Sequence, residues 1–433
     1  MSPAPSSRTT ATTSRGYAWA VVGMLWFICC FNYADRQAIS VVFPALKEEF
    51  GFNKEQLGWI GSAFMWVYAG AAPLAGWAGD RMQRRHLILG GCLFWSFVTV
   101  TTAWCTKLWH FITVRALEGF GETFYFPASM SLVSAYHGAK TRSRAMAFHQ
   151  SSVYVGTIGG SWVGALMAQH YGWRTGFYCF GILGMLLAGM LYFFLKEPAA
   201  STAQSGDATS SVSAEVPAQV SFWEALRFIA VHPSARLLMV AFVLANFVAT
   251  LFLVWTPTFL MEKFGYKLGA AGLTATVFIH LASAATVPLA GWLADWGIQR
   301  HPGARMFVQA GGLLVGSVCV AWVGWTQDRT SLMIAMTAFG VCKGFYDSGI
   351  FAALYDVVPA NSRATSAGIM NTVGWTGGAL GPLYAGMMST RAGRATEVDN
   401  MSLAVSLCGI VYLVGALSLW WAGRRAGTRI SPR

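Results

Sequence analysis

The sequence predicts an all-α membrane protein whose twelve transmembrane helices form two pseudo-symmetric six-helix bundles. Three observations predict it. The 433 residues are 55% hydrophobic and 11% charged, with a mean hydropathy of +0.48, whereas soluble domains carry roughly 25% charged residues. Twelve apolar stretches reach the ~20 residues that a bilayer crossing needs. The third is an internal repeat: Gly76-Trp77-Ala78-Gly79-Asp80 returns as Gly291-Trp292-Leu293-Ala294-Asp295, and Ser143-Arg144-Ala145 returns as Ser362-Arg363-Ala364. A glycine pair follows the latter motif in each copy, Gly159-Gly160 and Gly377-Gly378. Repetition at half the chain length, in a chain this apolar, marks two related bundles with a site where they meet.

In chain order the predicted spans are 17–42, 56–79, 86–105, 109–135, 144–169 and 173–195, then 236–261, 270–296, 304–325, 331–357, 364–388 and 400–422. They divide the chain into a disordered cytoplasmic tail (1–16), an N-terminal bundle (17–197), a linker (198–235), a C-terminal bundle (236–422) and a basic tail (423–433). The first tail is rich in Ser and Thr and has no cleavage pattern behind a short apolar core, so it does not read as a signal peptide. Residues 198–220 are mostly Ser, Ala, Thr, Gly, Val and Pro and lack the apolar content of a core. Beyond them, Phe222 to Phe228 reads either as a short helix on the membrane surface, with Arg227 toward the headgroups, or as a solvated connector.

The net charge of +12 does not signal nucleic acid, because the basic residues are scattered over short loops. Their distribution reports topology. With both termini inside, 18 Lys and Arg fall on the inner side and nine on the outer, while Arg36, Arg115 and Lys343 lie within helices. The positive-inside rule therefore places both termini in the cytoplasm of a multi-pass protein of the cell membrane. All eight cysteines sit in or at the ends of apolar spans, in no metal-like spacing, so buried thiols are expected rather than disulfides or metal ligands. No cofactor is expected. Intramembrane enzyme chemistry would need a nucleophile–base pair or a metal cluster, which the isolated histidines do not supply, so the chain is not read as an enzyme.

Ionisable groups within a bilayer cost about 2.5–3.5 kcal/mol on insertion scales, so those present face a polar cavity or each other. The first helix carries Asn32-Tyr33-Ala34-Asp35-Arg36. Asp35 and Arg36 are ~100° apart around the axis and reach a cavity from adjacent flanks. The fourth helix carries Arg115, Glu118 and Glu122 at spacings that put all three on one face. Two carboxylates beside an arginine titrate as a coupled set, which is the requirement for linking proton movement to a conformational change. The plainer alternative is a structural pair of Arg115 with Glu118 or Glu122. In the tenth helix Lys343 and Asp347 are one turn apart and either neutralise each other or turn Lys343 toward an anionic substrate. Asp356 is expected near Arg363 in a structural role. Tyr33, Tyr68, Tyr125, Tyr154, Asn246, His280, Asn371 and Trp375 are candidate cavity-lining residues, and His149 is an intramembrane histidine that needs a partner.

The segment Gly76-x-x-x-Asp80-Arg81-x-x-Arg84-Arg85 closes the second helix and enters the third. Gly76 and Gly79 permit close helix approach, and Asp80 at the helix end is placed to hold one side shut by pairing with a neighbouring helix in one of two states. This segment resembles the loop motif of the major facilitator superfamily, with Gln83 at the usual second glycine. The second copy, ending in Asp295, has Trp296 in place of Arg81. The resemblance covers the whole chain and implies the major facilitator fold, a monomer, and gating by Gly76, Asp80, Arg81, Arg84, Arg85 and Asp295.

A closer resemblance lies in Asn32-Tyr33-x-Asp35-Arg36, Arg115-x-x-x-Gly119-x-Gly121-Glu122 with Phe126-Pro127, Arg142-x-Arg144-Ala145-x-Ala147 and Gly172-Trp173-Arg174-x-x-Phe177. These are similar to the anion:cation symporter family, densely in the first half and thinly beyond the linker. The resemblance implies proton-coupled uptake of a small organic anion, a carboxylate or sugar acid, by alternating access. By that resemblance Asp35 and Glu122 would take up the proton, while Arg36 and Arg115 would hold the substrate carboxylate or the proton-site acid. Glu118, an extra acid on the same stripe, and the Lys343–Asp347 pair depart from the family's pattern; from the residues themselves Glu118 is a further proton candidate, and Lys343, Tyr33, Tyr68 and Asn371 are further candidate substrate contacts. The Asp-Arg and Arg-to-Glu pairs also resemble spinster-type lipid transporters, so proton-linked export of lipid-like or drug-like amphiphiles is the rival expectation.

Overall fold

Long apolar runs separated by short polar turns fold, in this computed structural model, into sixteen α-helices and one 3₁₀ turn, with no strand among the described residues. The structure describes residues 15–138, 141–197, 221–391, 393 and 396–427. Most of the expected N-terminal tail, the linker 198–220 and the end of the basic tail lie outside them, as does the side chain of Asp80.

The first bundle comprises α1 (Arg15–Val41), α2 (Phe43–Phe50), α3 (Lys54–Arg81), α4 (Arg84–Thr102), α5 (Leu108–Thr123), α6 (Tyr125–Tyr136), α7 (Arg142–Tyr171) and α8 (Trp173–Phe194). A short helix, α9 (Phe222–Val231), precedes the second bundle: α10 (Pro233–Phe264), α11 (Leu268–Ile298), α12 (Ala304–Trp325), α13 (Arg329–Asp347), α14 (Ile350–Val357), α15 (Arg363–Arg391) and α16 (Glu397–Gly427). Helix starts follow local chemistry. Asn53 and Gln56 form a reciprocal capping box at the head of α3, and Asp328 accepts from the Ser331 amide at the head of α13.

Two crossings expected as single helices are each made of two. Pro127 lacks an amide and its ring crowds the Thr123 carbonyl, so the fourth crossing breaks at Phe124 between α5 and α6. The tenth breaks at Ser348-Gly349, between α13 and α14. Each break falls within two residues of a buried or half-buried acid, Glu122 in the first bundle and Asp347 in the second. Helix α1 continues beyond a turn into α2, so the first crossing reaches further than the predicted residue 42. Among the described residues six helices qualify as spans by length and composition alone; the remaining crossings are interrupted or carry charged and glycine-rich stretches. Exposed tryptophans mark both interfaces: Trp104, Trp109 and Trp325 at one end, Trp77, Trp292, Trp420 and Trp421 at the other.

The bundles meet on the side opposite the termini, here the far side. There α3 packs on α15 and α7 on α11. A Cβ on Gly386 would lie 2.3 Å from the Lys54 carbonyl oxygen, and one on Gly272 would lie 2.5 Å from that of Ser161, so glycine is what permits these backbones to touch. Ser161 donates to the Gly272 carbonyl at 2.7 Å. Ion pairs bolt the same side across the bundles: Lys54 to Glu262 at 2.5 Å, Lys47 to Glu397 at 2.6 Å and Arg391 to Glu55 at 2.7 Å. At the other end, Gly76 and Gly79 of α3, Gly291 of α11 and Gly368 of α15 have nothing within 4 Å of where a Cβ would sit. The molecule is closed on the far side and parted on the side of the termini. In this state Gly76 and Gly79 do not make the close helix approach their spacing suggests.

Candidate functional site

Buried charge at mid-membrane depth organises the centre of the first bundle. Arg36 of α1 donates to Glu122 of α5 from Nε at 3.0 Å and also from Nη2, which additionally reaches the Asn32 side chain at 3.4 Å. Arg115 does not turn to Glu122, although the two share a helical face. It pairs one turn on with Glu118 at 2.5 Å. Asp35, the third acid, makes no ion pair among the described residues and accepts one long bond, 3.4 Å, from the Thr99 hydroxyl of α4. All five charged side chains are buried.

One carboxylate oxygen each from Asp35, Glu118 and Glu122 lies within 4.8 Å of the others. Such a trio suits a cation, and the guanidiniums of Arg36 and Arg115 already occupy that role on its flanks. Three acids against two arginines leave one surplus negative charge when all are ionised. Several atoms of the set have no hydrogen-bond partner among the described residues: Asp35 Oδ1, Glu122 Oε1, Arg36 Nη1 and Arg115 Nε.

Aromatic rings hold both arginines in place. The Phe64 ring of α3 lies 4.5 Å from the Arg36 guanidinium and 4.9 Å from that of Arg115. Tyr33 at 4.6 Å, with Tyr68 and Trp375 each at 5.5 Å, completes the surround of Arg36. Trp375 comes from α15, so the second bundle closes the environment of a first-bundle arginine. Phe64 reaches Arg115 because α3 and α5 cross tightly: a Cβ on Gly119 would stand 2.3 Å from the Phe64 carbonyl oxygen.

A cavity of about 170 Å³ opens between the bundles beside these groups, lined by Tyr33, Arg36 and Arg115 from one half and Asn246, His280, Lys343 and Trp375 from the other. Lys343 pairs with Asp347 one turn on, as the spacing allowed. Four of the six predicted substrate contacts, Tyr33, Arg36, Arg115 and Lys343, therefore line one cavity. Tyr68 stands behind it, stacked on Phe64 and packed on Trp375 at 5.0 Å. Asn371 is not among the lining residues; it is exposed, one turn toward the terminal side from Trp375 on the same face.

Other expectations are corrected. Tyr125 is not a cavity residue: it is buried in the first bundle, donates to the Leu25 carbonyl at 2.7 Å and partners His149 at 3.0 Å. Asp356 pairs with Arg305 at 2.7 Å, because Arg363 turns instead to the Tyr355 carbonyl. Asp295 also pairs with Arg305, at 2.9 Å, within its own bundle. In the companion loop Arg81 lies over the Trp77 ring at 4.7 Å, Arg84 is 3.8 Å from Glu197, and Arg85 donates to the Tyr192 carbonyl. These side chains make no bridge between bundles, as expected where that side is parted. Phe64, Thr99, Gln37 and Ser40 are site residues that the sequence reading missed. An unremarkable Phe or Thr in an apolar run carries no signal, whereas Gln37 and Ser40, within four residues of Arg36 on α1, were there to be noticed.

The family model described as Major Facilitator Superfamily matches residues 25–382. The chain belongs to the major facilitator superfamily. It is a multi-pass membrane transporter rather than an enzyme, and its twelve crossings have the superfamily's arrangement. A D-galactonate transporter of Escherichia coli O6:H1 is 26% identical over 426 residues, covering 93% of this chain and 94% of that protein. A chloroplastic sodium-dependent phosphate transport protein of Arabidopsis thaliana is 25% identical, covering 91% and 78%. Among solved structures, a bacterial homolog of the human lysosomal transporter Spinster, inward-facing and unoccupied, superposes with a TM-score of 0.84 at 21% identity, covering 97% of this chain and all of that one. A D-xylose–proton symporter superposes at 0.71 with 16% identity, covering 94% and 98%. For this major facilitator, both structural likenesses bear on the fold.

Proposed function

We propose that this transporter takes up a small organic anion together with protons, by alternating access around the cavity between its bundles, in a cell membrane with both termini cytoplasmic. One observation carries the reading: Arg36 lines the cavity while paired to a buried carboxylate that belongs to a set with one acid in excess of its arginines. A substrate carboxylate presented to the arginine fork competes with Glu122 for it. Displaced into a water-poor site, Glu122 is stabilised by a proton. Substrate and proton thus favour the same state of the site, and coupling follows from that shared preference. Asp35, buried without a counter-ion, is the second place where a proton is held, and Glu118 restrains Arg115 until substrate arrives. The relatives described as anion and galactonate transporters support an anionic substrate. The parted loop motif, with Asp80, Arg81, Arg84, Arg85 and Asp295, would close against the opposite bundle in the other state.

The test is uptake of labelled mono- and dicarboxylates, sugar acids and aromatic acids into proteoliposomes, with and without an inward proton gradient. Saturable uptake of one class, raised by the gradient, is expected. Failure of all of them, with movement of lysolipids or cationic drugs instead, would replace this reading with the amphiphile-export one.

A further inference from the structure

The walls of the cavity are of two kinds. Cations gather where Arg36 and Arg115 enter from α1 and α5. Away from them the lining is apolar, with Val153, Phe252, Leu253, Val254, Ile279 and Phe339 contributed by four helices. Gln37 and Ser40 line the cavity from α1, the helix that brings in Arg36, and the polar residues of the other helices are largely engaged with protein. Thr157 donates to the Val153 carbonyl at 2.7 Å, and Thr250 to the Gly378 carbonyl at 2.6 Å. The Asn246 amide donates to Phe242 at 2.8 Å, His280 Nδ1 is 2.9 Å from the Thr276 carbonyl, and Lys343 is held by Asp347.

From this distribution we infer that the anion carried is a monocarboxylate with an apolar, ring-sized body, of which benzoate is the simplest example, rather than a polyhydroxylated sugar acid. The inference rests on the organic-anion reading above and narrows it.

The chemistry follows from what each substrate would leave unpaired. A sugar acid brings several hydroxyl groups, each needing a partner to replace water; beyond Gln37 and Ser40 on α1, the polar groups of the belt are already bonded to backbone carbonyls or, for Lys343, to Asp347. A flat apolar body loses nothing by leaving water and gains contact with Ile279, Phe339 and the Trp375 ring. Its carboxylate meets Arg36, whose Nη1 has no partner, and Arg115, whose Nε has none. The size agrees. A cavity of about 170 Å³ has room for on the order of ten waters, comparable with an acid of about that many non-hydrogen atoms.

The experiment is calorimetric binding to the purified full-length protein in detergent, where leak of weak acids across a bilayer does not enter, with benzoate, cyclohexanecarboxylate, gluconate and a lysophospholipid as probes. Benzoate is expected to bind at least about tenfold more tightly than gluconate, the scale on which a pocket of fixed polarity separates such ligands. Leu253→Gln places on the belt, at similar volume, an amide that does not fold back onto its own helix as a Thr hydroxyl does, and should weaken benzoate binding several-fold without weakening gluconate. Gluconate binding as tightly as benzoate would overturn this inference and leave the organic-anion reading standing. Tighter cyclohexanecarboxylate than benzoate would retain the apolar body and remove the preference for a flat ring. A Leu253→Gln protein with an unchanged benzoate-to-gluconate ratio would show that the belt is not what reads the substrate. Binding of the lysophospholipid with none of the acids would overturn both readings together.

Discussion

Arg36 and Glu122, 86 positions apart, meet through one carboxylate oxygen: Nε and Nη2 of the arginine both donate to Oε2. Oε1 of Glu122 and Nη1 of Arg36 are left without partners. The pair is strong enough to bury and incomplete enough to exchange. A bidentate fork fully matched to both oxygens would give a substrate carboxylate less to gain by intruding.

Replacing Glu122 by Gln keeps the shape and removes the titratable charge. Gradient-driven accumulation of substrate into proteoliposomes should fall to the level set by substrate concentration alone, while counterflow exchange persists. Accumulation equal to that of the unaltered protein would remove Glu122 from proton coupling.

Arg36→Lys retains a charge and loses the fork. The substrate KM should rise by about tenfold to a hundredfold, because a point charge cannot replace two directed bonds. Arg36→Met should instead cost about 3–5 kcal/mol of stability, since it strands a buried carboxylate, and adding Glu122→Gln should recover much of that loss. Thermal unfolding in detergent measures the second effect. A KM for the lysine variant within twofold of the original would count against Arg36 as the anion's grip.

Lys54 is fully buried and lies 2.5 Å from Glu262 and 3.6 Å from Glu397, so one first-bundle cation neutralises two second-bundle acids. Lys54→Met should loosen the far side and shift the population toward the far-side-open state by about tenfold, equivalent to about 1.4 kcal/mol. Spin-label distances between positions 79 and 291, across the terminal-side opening, should shorten. An unchanged distance distribution would mean that backbone packing alone sets the closure.

The Lys47 ammonium bonded to Glu397, with Lys54 nearby, holds that carboxyl below the usual carboxylate range while the far side is closed. A depressed acid stabilises the closed form above its ordinary pKa and loses that contribution as pH falls through the lowered value. Between pH 6 and 8 the Glu397 contribution should therefore be constant. Acidification of the far side below about pH 4.5 should favour opening. Spin-label distances across the far side, compared at pH 7 and pH 4, check the sign. A transition centred near neutrality would have to arise elsewhere in the molecule.

Much of the fold was legible because a bilayer admits few solutions. Apolar length and the half-chain repeat gave the crossings. The break at Phe124 was written in Pro127, but it and the break at Ser348-Gly349 each lie inside a stretch apolar enough overall to read as one crossing. Helical spacing placed Arg115 and Glu122 on one face; it did not show that Arg36 would claim Glu122 and leave Arg115 to Glu118. Partner choice among buried charges depends on how α1 and α5 are set against each other, which no single-helix periodicity contains. Phe64 illustrates the same limit. Its position beneath both guanidiniums follows from the α3–α5 crossing at Gly119, not from anything in its own neighbourhood of the chain.

The far-side closure has a consequence for leakage. At Gly386 against Lys54 and at Gly272 against Ser161, main chain lies on main chain, so no rotamer change can prise the contact apart. Permeation of water or ions past such a barrier waits on the bundles separating as whole bodies. The idle leak of the carrier is then tied to its turnover rate and not to the far faster flicker of its side chains.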